Sequence, residues 1–143
     1  MADNHGLDGV LKGLSCTAVV KAEYLWQLRF GGGKASLQLE CPWRLLVDGS
    51  IAFGYNDHQQ KFGLPAPLDG VKTTQELLSN SPITTVEIRS GTGDLALRFA
   101  NGVTLETFNP SVGHEGWNCS AEHGFLVVAQ GGGNIVVWDA RRS

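Results

Sequence analysis

The sequence predicts an all-β protein with one short helix, built as a β-sandwich or a flattened barrel of about nine or ten strands. Three observations lead to this prediction. Short runs alternate apolar and polar residues with the period of half-buried strands. The 19 glycines fall between these runs, where hairpin turns need them. One pattern of strand and turn also occurs twice, which is typical of a duplicated β unit.

The strands are predicted from this alternation. Trp26, Leu28 and Phe30 share one face of a strand, and polar residues occupy the other. Asp48 and Gly49 form a strong two-residue hairpin signal, because a type I′ turn needs positive φ at both positions. The runs predicted as strands are residues 26–30, 37–41, 43–47, 51–55, 86–88, 95–99, 103–107, 125–129 and 135–138, the last two being apolar throughout and set off by glycine turns.

One helix is predicted in the second half of the chain. Thr73 and Glu76 have the spacing of a capping box, and two leucines follow them before Pro82 limits further extension. A helical turn is also expected near residues 10–14. Residues 56–67 are polar and then proline-rich, which favours a linker between the two copies of the repeated unit.

The two copies are predicted to span residues 7–55 and 68–138. Residues 26–33 (WQLRFGGG) align without a gap on residues 95–102 (LALRFANG), and the sequence LDGV at residues 7–10 recurs at 68–71. An internal duplication with pseudo-twofold symmetry therefore fits a single domain over residues 1–143, a length that suits one core.

Composition excludes several classes of function. The formal net charge is −3, and the only pair of adjacent basic residues is at 141–142, so nucleic-acid binding is not expected. The sequence contains no apolar segment long enough for a membrane span or a signal peptide. The three cysteines are odd in number and widely spaced, which favours free thiols and a cytoplasmic location. The oligomeric state is left open between monomer and homodimer.

The densest polar cluster lies at residues 113–119. His114 and Glu115 could form an acid/base pair with Cys119 as a nucleophile, but neighbours in a strand point to opposite faces, so an irregular connection is preferred. The histidines and cysteines lack the short spacing of zinc ligands, and the glycine runs at 31–33 and 131–133 precede strands rather than helices. We therefore predict no catalytic residue, no metal and no cofactor.

The tryptophans are expected to pack in the core, including Trp117 if the irregular connection holds it there, and Trp117 is the first candidate if one of them is exposed. Three of the four tryptophans alternate with aliphatic residues, as core residues of a strand do. Arg44 is expected to point outward, where it could pair with a carboxylate.

The whole layout resembles a bacterial family of small all-β proteins of unknown function. The residues that carry the resemblance are Leu95, Leu97, Phe99, Gly102, Leu105, Glu115, Trp117, Gly132 and Trp138, with the segment CPWRL at 41–45 in the first copy. Such proteins resemble immunity proteins of polymorphic toxin systems, which are cytosolic single domains that bind a cognate toxin. The resemblance implies no catalytic residue.

The first functional hypothesis is therefore an immunity-type protein that inhibits a cognate toxin protein by occlusion. Its expected contacts with the partner are Asp57, His58, His114, Glu115 and Trp117, which supply acidic groups and an aromatic anchor. The alternative is a β module that binds a small ligand or a carbohydrate in a groove lined by an exposed aromatic residue such as Trp117 or Tyr55.

Overall fold

The computed structural model describes residues 4–140, which form two antiparallel β-sheets of six and five strands. The strands are β1 (Cys16–Lys21), β2 (Trp26–Phe30), β3 (Ala35–Leu39), β4 (Trp43–Val47), β5 (Ser50–Gly54), β6 (Ile83–Ile88), β7 (Leu95–Phe99), β8 (Val103–Thr107), β9 (Trp117–Ala121), β10 (Phe125–Ala129) and β11 (Ile135–Asp139). The helices are α1 (Leu7–Leu11) and α2 (Gly70–Leu78). The predicted all-β class is confirmed, with eleven strands in this part of the chain rather than nine or ten.

The two sheets are separate and enclose one core. Their strand orders are β1-β2-β3-β9-β10-β11 and β5-β4-β8-β7-β6, so neither sheet closes on itself and the flattened barrel is excluded for residues 4–140. Aromatic rings join the sheets. Phe30 stacks on Phe99 at 6.4 Å between ring centroids, and Trp26 meets Trp43 edge-on at 5.2 Å. The alternating apolar residues of both sheets thus form a continuous hydrophobic cluster.

Two strands were not predicted from the sequence, β1 and β9. The prediction of an irregular connection at residues 113–119 is wrong from Trp117 onward, because β9 starts there and pairs with β3 on one side and β10 on the other. Trp117 and Cys119 point into the core, while Asn118 and Ser120 point outward. With only two apolar inward residues, one of them a cysteine, the strand has a weak hydrophobic pattern.

The hairpin between β4 and β5 has the predicted turn. Asp48 and Gly49 both have positive φ, 49° and 86° respectively. Glycine adopts such angles without steric cost, and aspartate tolerates them better than most residues. The predicted turn chemistry is therefore confirmed at this hairpin.

Both helices begin earlier than the sequence patterns indicate. Helix α2 begins at Gly70, and its N-cap is Asp69, whose side chain accepts a hydrogen bond of 3.1 Å from the Lys72 backbone N–H. The predicted capping box is therefore wrong, because Thr73 lies inside the helix. Helix α1 covers Leu7–Leu11 rather than residues 10–14. Among residues 4–140, no helix is long and apolar enough to cross a membrane.

The strand orders of the two sheets correspond. Read from β6, the five-stranded sheet runs β6-β7-β8-β4-β5, and the six-stranded sheet runs β1-β2-β3-β9-β10 before its additional β11. A register irregularity occurs at the start of both β1 and β6. Next to it, Thr17 Oγ1 donates to the Arg29 carbonyl at 3.3 Å, and Thr84 Oγ1 donates to the Arg98 carbonyl at 3.2 Å.

The predicted duplication of residues 7–55 and 68–138 is a statement about origin, and it stays a prediction at this point. The same holds for the single domain over residues 1–143. Its predicted ends, and the basic pair at 141–142, lie outside the described residues.

Candidate functional site

A cross-strand row of residues forms the floor of a groove on the outer face of the five-stranded sheet. The pairing register places Glu87, Ala96, Glu106, Arg44 and Gly54 side by side on five successive strands. All of them point away from the core. Because Ala96 and Gly54 carry little or no side chain, the row has gaps between its charged members. We call the depression over this row the outer groove.

The outer groove encloses about 640 Å³ and has aromatic and aliphatic walls. Phe108 lies two residues beyond Glu106 on the same face, and 64% of its surface is exposed. On the β5 side the walls are Tyr55, 39% exposed, and Ile51, 63% exposed. These three apolar side chains border one depression, and exposed apolar side chains that are grouped in this way are typical of binding surfaces.

Charged groups of both signs line the outer groove, with an excess of acids. The lining contains four carboxylates and two guanidinium groups, which belong to Asp57, Glu87, Asp94, Glu106, Arg44 and Arg89. Arg44 Nε contacts Glu106 Oε1 at 2.5 Å, so the expectation that Arg44 points outward and meets a carboxylate is confirmed. In the part of the chain that the structure describes, neither Glu87 nor Arg89 forms an ion pair.

The corresponding row of the six-stranded sheet has different chemistry. There the register aligns Val20, Gln27, Gln38, Asn118 and Val128. This row is uncharged and contains neither glycine nor alanine, so no pair of gaps opens along it. The charges and the gaps are therefore particular to the five-stranded sheet.

Asp57 and His58, two of the predicted contact residues, lie in the loop after β5. Asp57 lines the outer groove, and its Oδ2 accepts a hydrogen bond of 2.8 Å from the Gly54 N–H, which fixes the end of β5. His58 Nδ1 accepts from the Gly70 N–H at 2.9 Å, and its ring meets Trp26 edge-on at 5.7 Å between centroids. His58 thus connects the loop to α2 and is not part of the groove lining.

His114 and Glu115 lie in a different loop, before β9, and do not line the outer groove. His114 is exposed, and its carbonyl accepts from Asn109 Nδ2 at 2.8 Å. Glu115 Oε2 accepts from Asn118 Nδ2 at 2.8 Å, and the carboxyl of Glu115 also contacts that of Glu40. Of the five predicted contact residues, Asp57 alone lines the outer groove, and the assignment of the others as contacts stays a prediction.

Trp117 is fully buried, so the expectation of core packing is confirmed, and it is not the exposed tryptophan. Its side chain has no exposed surface, and its indole Nε1 donates to the Gly93 carbonyl at 2.9 Å inside the protein. Trp138 on β11 is the exposed one, at 53%. A residue inside the core cannot act as an exposed anchor, and the aromatic residues available for that role at the groove are Phe108 and Tyr55.

The three cysteines are free thiols, as predicted, and burial makes them poor nucleophiles. Burial raises the pKa of the Cys119 thiol to about 12 and that of Cys16 to about 11. The pKa of Cys41 is also about 11, because of burial and then the nearby negative charge of Asp94. Cys119 faces the core while His114 is exposed, so the two do not form a nucleophile and base pair. Across residues 4–140, no three His, Cys, Asp or Glu side chains are placed to hold a metal ion.

Sequence reasoning missed most of the outer groove. Glu87 and Arg89 alternate with core residues, which predicts only that they point outward. Their proximity to Arg44 and Glu106 depends on the pairing of β6, β7, β8 and β4, which join distant parts of the chain. No local signal in the sequence specifies that order.

The sequence of residues 16–139 matches the model of a family of unknown function, DUF6188. The chain belongs to that family. The match runs from the first residue of β1 to the last residue of β11, and so covers both sheets. No curated protein matches the chain, and no solved structure matches it either. The expected membership of a family of unknown function is confirmed, whereas the similarity to immunity proteins stays a prediction.

Proposed function

We propose that the protein is an inhibitor of the immunity type, which acts in the bacterial cytoplasm by binding a cognate toxin protein and covering its functional surface. The observation that supports this proposal is the outer groove. Aromatic residues and arginine are enriched where protein interfaces gain their affinity, and charged groups of both signs select the partner. The groove combines Phe108 and Tyr55 with Arg44, Arg89 and their neighbouring carboxylates.

Asp57 is the predicted contact residue that this proposal retains as a direct contact. It lies at the end of the groove next to Tyr55, within the loop at 56–61 that the sequence pattern singled out. The proposal no longer includes Trp117 among the contact residues because it is buried, and Phe108 takes its place as the aromatic anchor.

A growth-rescue experiment tests the proposal. The product of the gene adjacent to this one is expressed in a bacterial host, with and without the protein. We expect the neighbouring product to arrest growth, and co-expression of the protein to restore it and to give a stoichiometric complex in size-exclusion chromatography. Absence of both rescue and complex would reject the proposal.

Variants then connect the rescue to the outer groove. Replacing both Phe108 and Tyr55 by alanine removes the aromatic walls, so we expect the complex to weaken at least about tenfold. The matched control is Val112→Ala, since Val112 is 89% exposed and lies outside the groove lining. Equal loss of affinity in both variants would mean that the aromatic walls are not the anchor.

A second candidate function is a module that binds a small ligand or a carbohydrate. The volume of the groove, about 640 Å³, is typical of small-molecule sites, and Tyr55 at its wall is the aromatic residue that this alternative requires. A sugar or metabolite that protects the protein against heat, and loses this effect in Tyr55→Ala, would favour the alternative over the inhibitor.

We also infer that the chain arose by duplication of one β unit, which gives the sandwich a pseudo-twofold arrangement. The matching strand orders and the paired threonine hydrogen bonds of β1 and β6 support this inference. The two sheets differ in these rows, since the row of the outer groove is charged and has gaps while the corresponding row of the other sheet is uncharged.

A further inference from the structure

The floor of the outer groove has room for an incoming side chain. Ala96 lies between Glu87 and Glu106 in the cross-strand row, so two acidic residues flank one methyl group. Neighbouring strands are about 4.8 Å apart, which places the backbones of the two glutamates roughly 10 Å from each other. A planar group several ångströms wide can therefore lie over Ala96 and reach a carboxylate on each side.

The charge of the groove favours a cation. Glu106 uses Oε1 for Arg44, so its second oxygen stays available to a ligand. Within residues 4–140, Glu87 has no ion-pair partner, and Asp57 and Asp94 accept hydrogen bonds only from the backbone N–H groups of Gly54 and Asn109. The carboxylates thus keep unused acceptor capacity, and the single unpaired guanidinium, that of Arg89, does not balance them.

The aromatic walls favour a guanidinium over an ammonium as the bound cation. Phe108 lines the groove just after the end of β8, two residues beyond Glu106, and Tyr55 lines it on the opposite side beyond Gly54. A guanidinium is flat and weakly hydrated, stacks on aromatic faces and presents five donors in a rigid fork. A lysine ammonium is a compact, strongly hydrated point charge, which is less suited to stack on Phe108 while it contacts two carboxylates.

We propose that the outer groove is a receptor for an arginine side chain which the partner protein projects, with Glu87 and Glu106 as the acceptors and Phe108 as the stacking surface. This inference rests on the proposed function for the identity of the partner as a toxin. The chemistry of recognition rests on the groove alone, because the corresponding row of the six-stranded sheet has neither the carboxylates nor the gaps.

A peptide titration tests the receptor without any toxin. The probe is acetyl-Gly-Arg-Gly-amide, followed by the NMR signals of the Ala96 backbone amide and methyl group. We expect these signals to shift with the arginine peptide, and to stay in place with the citrulline peptide, which has the same shape but no charge. The lysine peptide should bind at least about fivefold more weakly than arginine. Equal binding of arginine and citrulline, equal binding of arginine and lysine, or no binding at all would overturn the proposal.

Three variants locate the site. Glu87→Gln removes one charged acceptor, so the dissociation constant of the arginine peptide should rise about tenfold. Ala96→Leu fills the floor while it keeps every charge, and should abolish binding. The matched control is Glu76→Gln, because Glu76 is an exposed acid on α2 and lies outside the groove lining. An affinity that is unchanged in both Glu87→Gln and Ala96→Leu would overturn the proposal.

The two proposals fail in different ways. If the protein rescues growth and the Glu87→Gln variant rescues equally well, the receptor is wrong while the inhibitor stands. If the arginine peptide binds as expected but the protein neither rescues growth nor forms a complex, the inhibitor is wrong while the receptor stands. Thermal unfolding of each variant verifies that it is folded.

Discussion

Glu40 and Glu115 bring two carboxyl groups into contact where β3 ends and β9 approaches. Their side-chain hydrogen bond, partial burial and the negative charge of Glu115 raise the pKa of Glu40 from 4.5 to about 7. The backbone holds the pair in place, because the Glu40 N–H donates to the Gly116 carbonyl at 2.8 Å. A proton shared between the two acids relieves their repulsion.

This contact predicts a pH-dependent stability. The folded pKa of Glu40 lies above its unfolded value, so the folded state binds more protons between about pH 4.5 and 7. The contribution of Glu40 is therefore fully present below pH 4.5 and is lost as the pH rises through 7. We expect Glu40→Gln to remove this part of the pH dependence and to unfold at a higher temperature than wild type at pH 8. The exposed Glu122→Gln is the control in thermal unfolding series at pH 5 to 8, and identical profiles for wild type and Glu40→Gln would contradict the expectation.

The sequence assigns a residue to a face only where apolar and polar residues alternate, and it does not specify the level of exposure. Trp26, Trp43 and Trp117 all alternate with outward residues, and all three are buried. Trp138 lies in the wholly apolar run 135–138 and is expected in the core, but it is half exposed, because β11 is the edge strand and Trp138 is on its outer side. Exposure depends on what lies across the sheet, and this information is not local.

At the level of elements, two residues near the start of α2 have side chains that could serve as its N-cap. Asp69 and Thr73 both have capping side chains, and the capping box favours Thr73. The structure uses Asp69, since Gly70 must approach the aromatic cluster closely. A Cβ added to Gly70 would lie 2.6 Å from Phe53 Cζ and 2.8 Å from the Trp26 ring. Tertiary packing thus determines the helix start.

The assignment of Asp69 as the N-cap of α2 can be tested by substitution. Asp69→Ala removes the acceptor of the Lys72 N–H, so we expect a loss of about 1 kcal/mol in the free energy of unfolding. Thr73→Ala should change it by less than about 0.5 kcal/mol, because Thr73 lies within the helix. Asp69→Asn keeps the acceptor and should resemble wild type. Urea unfolding measures all three, and a larger loss for Thr73→Ala than for Asp69→Ala would contradict the assignment.

Most of the hairpins could be predicted because their signals are local. Asp48-Gly49 specifies its turn, but the alternation around it is wrong for Ile51, which is exposed while Phe53 is buried because a register irregularity lies between Leu45 and Leu46. Strand β9 could not be predicted, since its polar outward residues and its cysteine weaken the pattern. The outer groove could not be predicted either, because it depends on β4 pairing with β8.

At the level of the whole molecule, the two halves of the chain interlock. The first half supplies β1-β2-β3 to one sheet and β4-β5 to the other, and the second half does the reverse. Each sheet is completed by pairing across the halves, β3 with β9 and β4 with β8. Neither half can therefore bury its apolar faces alone.

This arrangement predicts fragment complementation. The loop at 61–67 is exposed, so the chain can be divided between Leu64 and Pro65 without cutting a strand. We expect fragments 1–64 and 65–143 to lack cooperative thermal unfolding when separate, and to regain it when mixed in equal amounts. Circular dichroism and size-exclusion chromatography measure both states. A fragment that unfolds cooperatively by itself would contradict the interlocked arrangement.

The same pairing across the halves has a consequence for the speed of folding. Most ladders join neighbours in the chain, whereas one inner ladder of each sheet, β3 with β9 or β4 with β8, joins strands that are far apart in sequence. Closing long loops costs entropy before any contact is gained, so proteins with many distant contacts refold in milliseconds to seconds. We expect the hairpins to form first, and the long-range pairs of β3 with β9 and β4 with β8 to form last. The refolding time is then set by a seam through the centre of the sandwich. Strengthening the hairpins on either side, which form before that seam closes, would accelerate folding and leave the unfolding rate nearly unchanged.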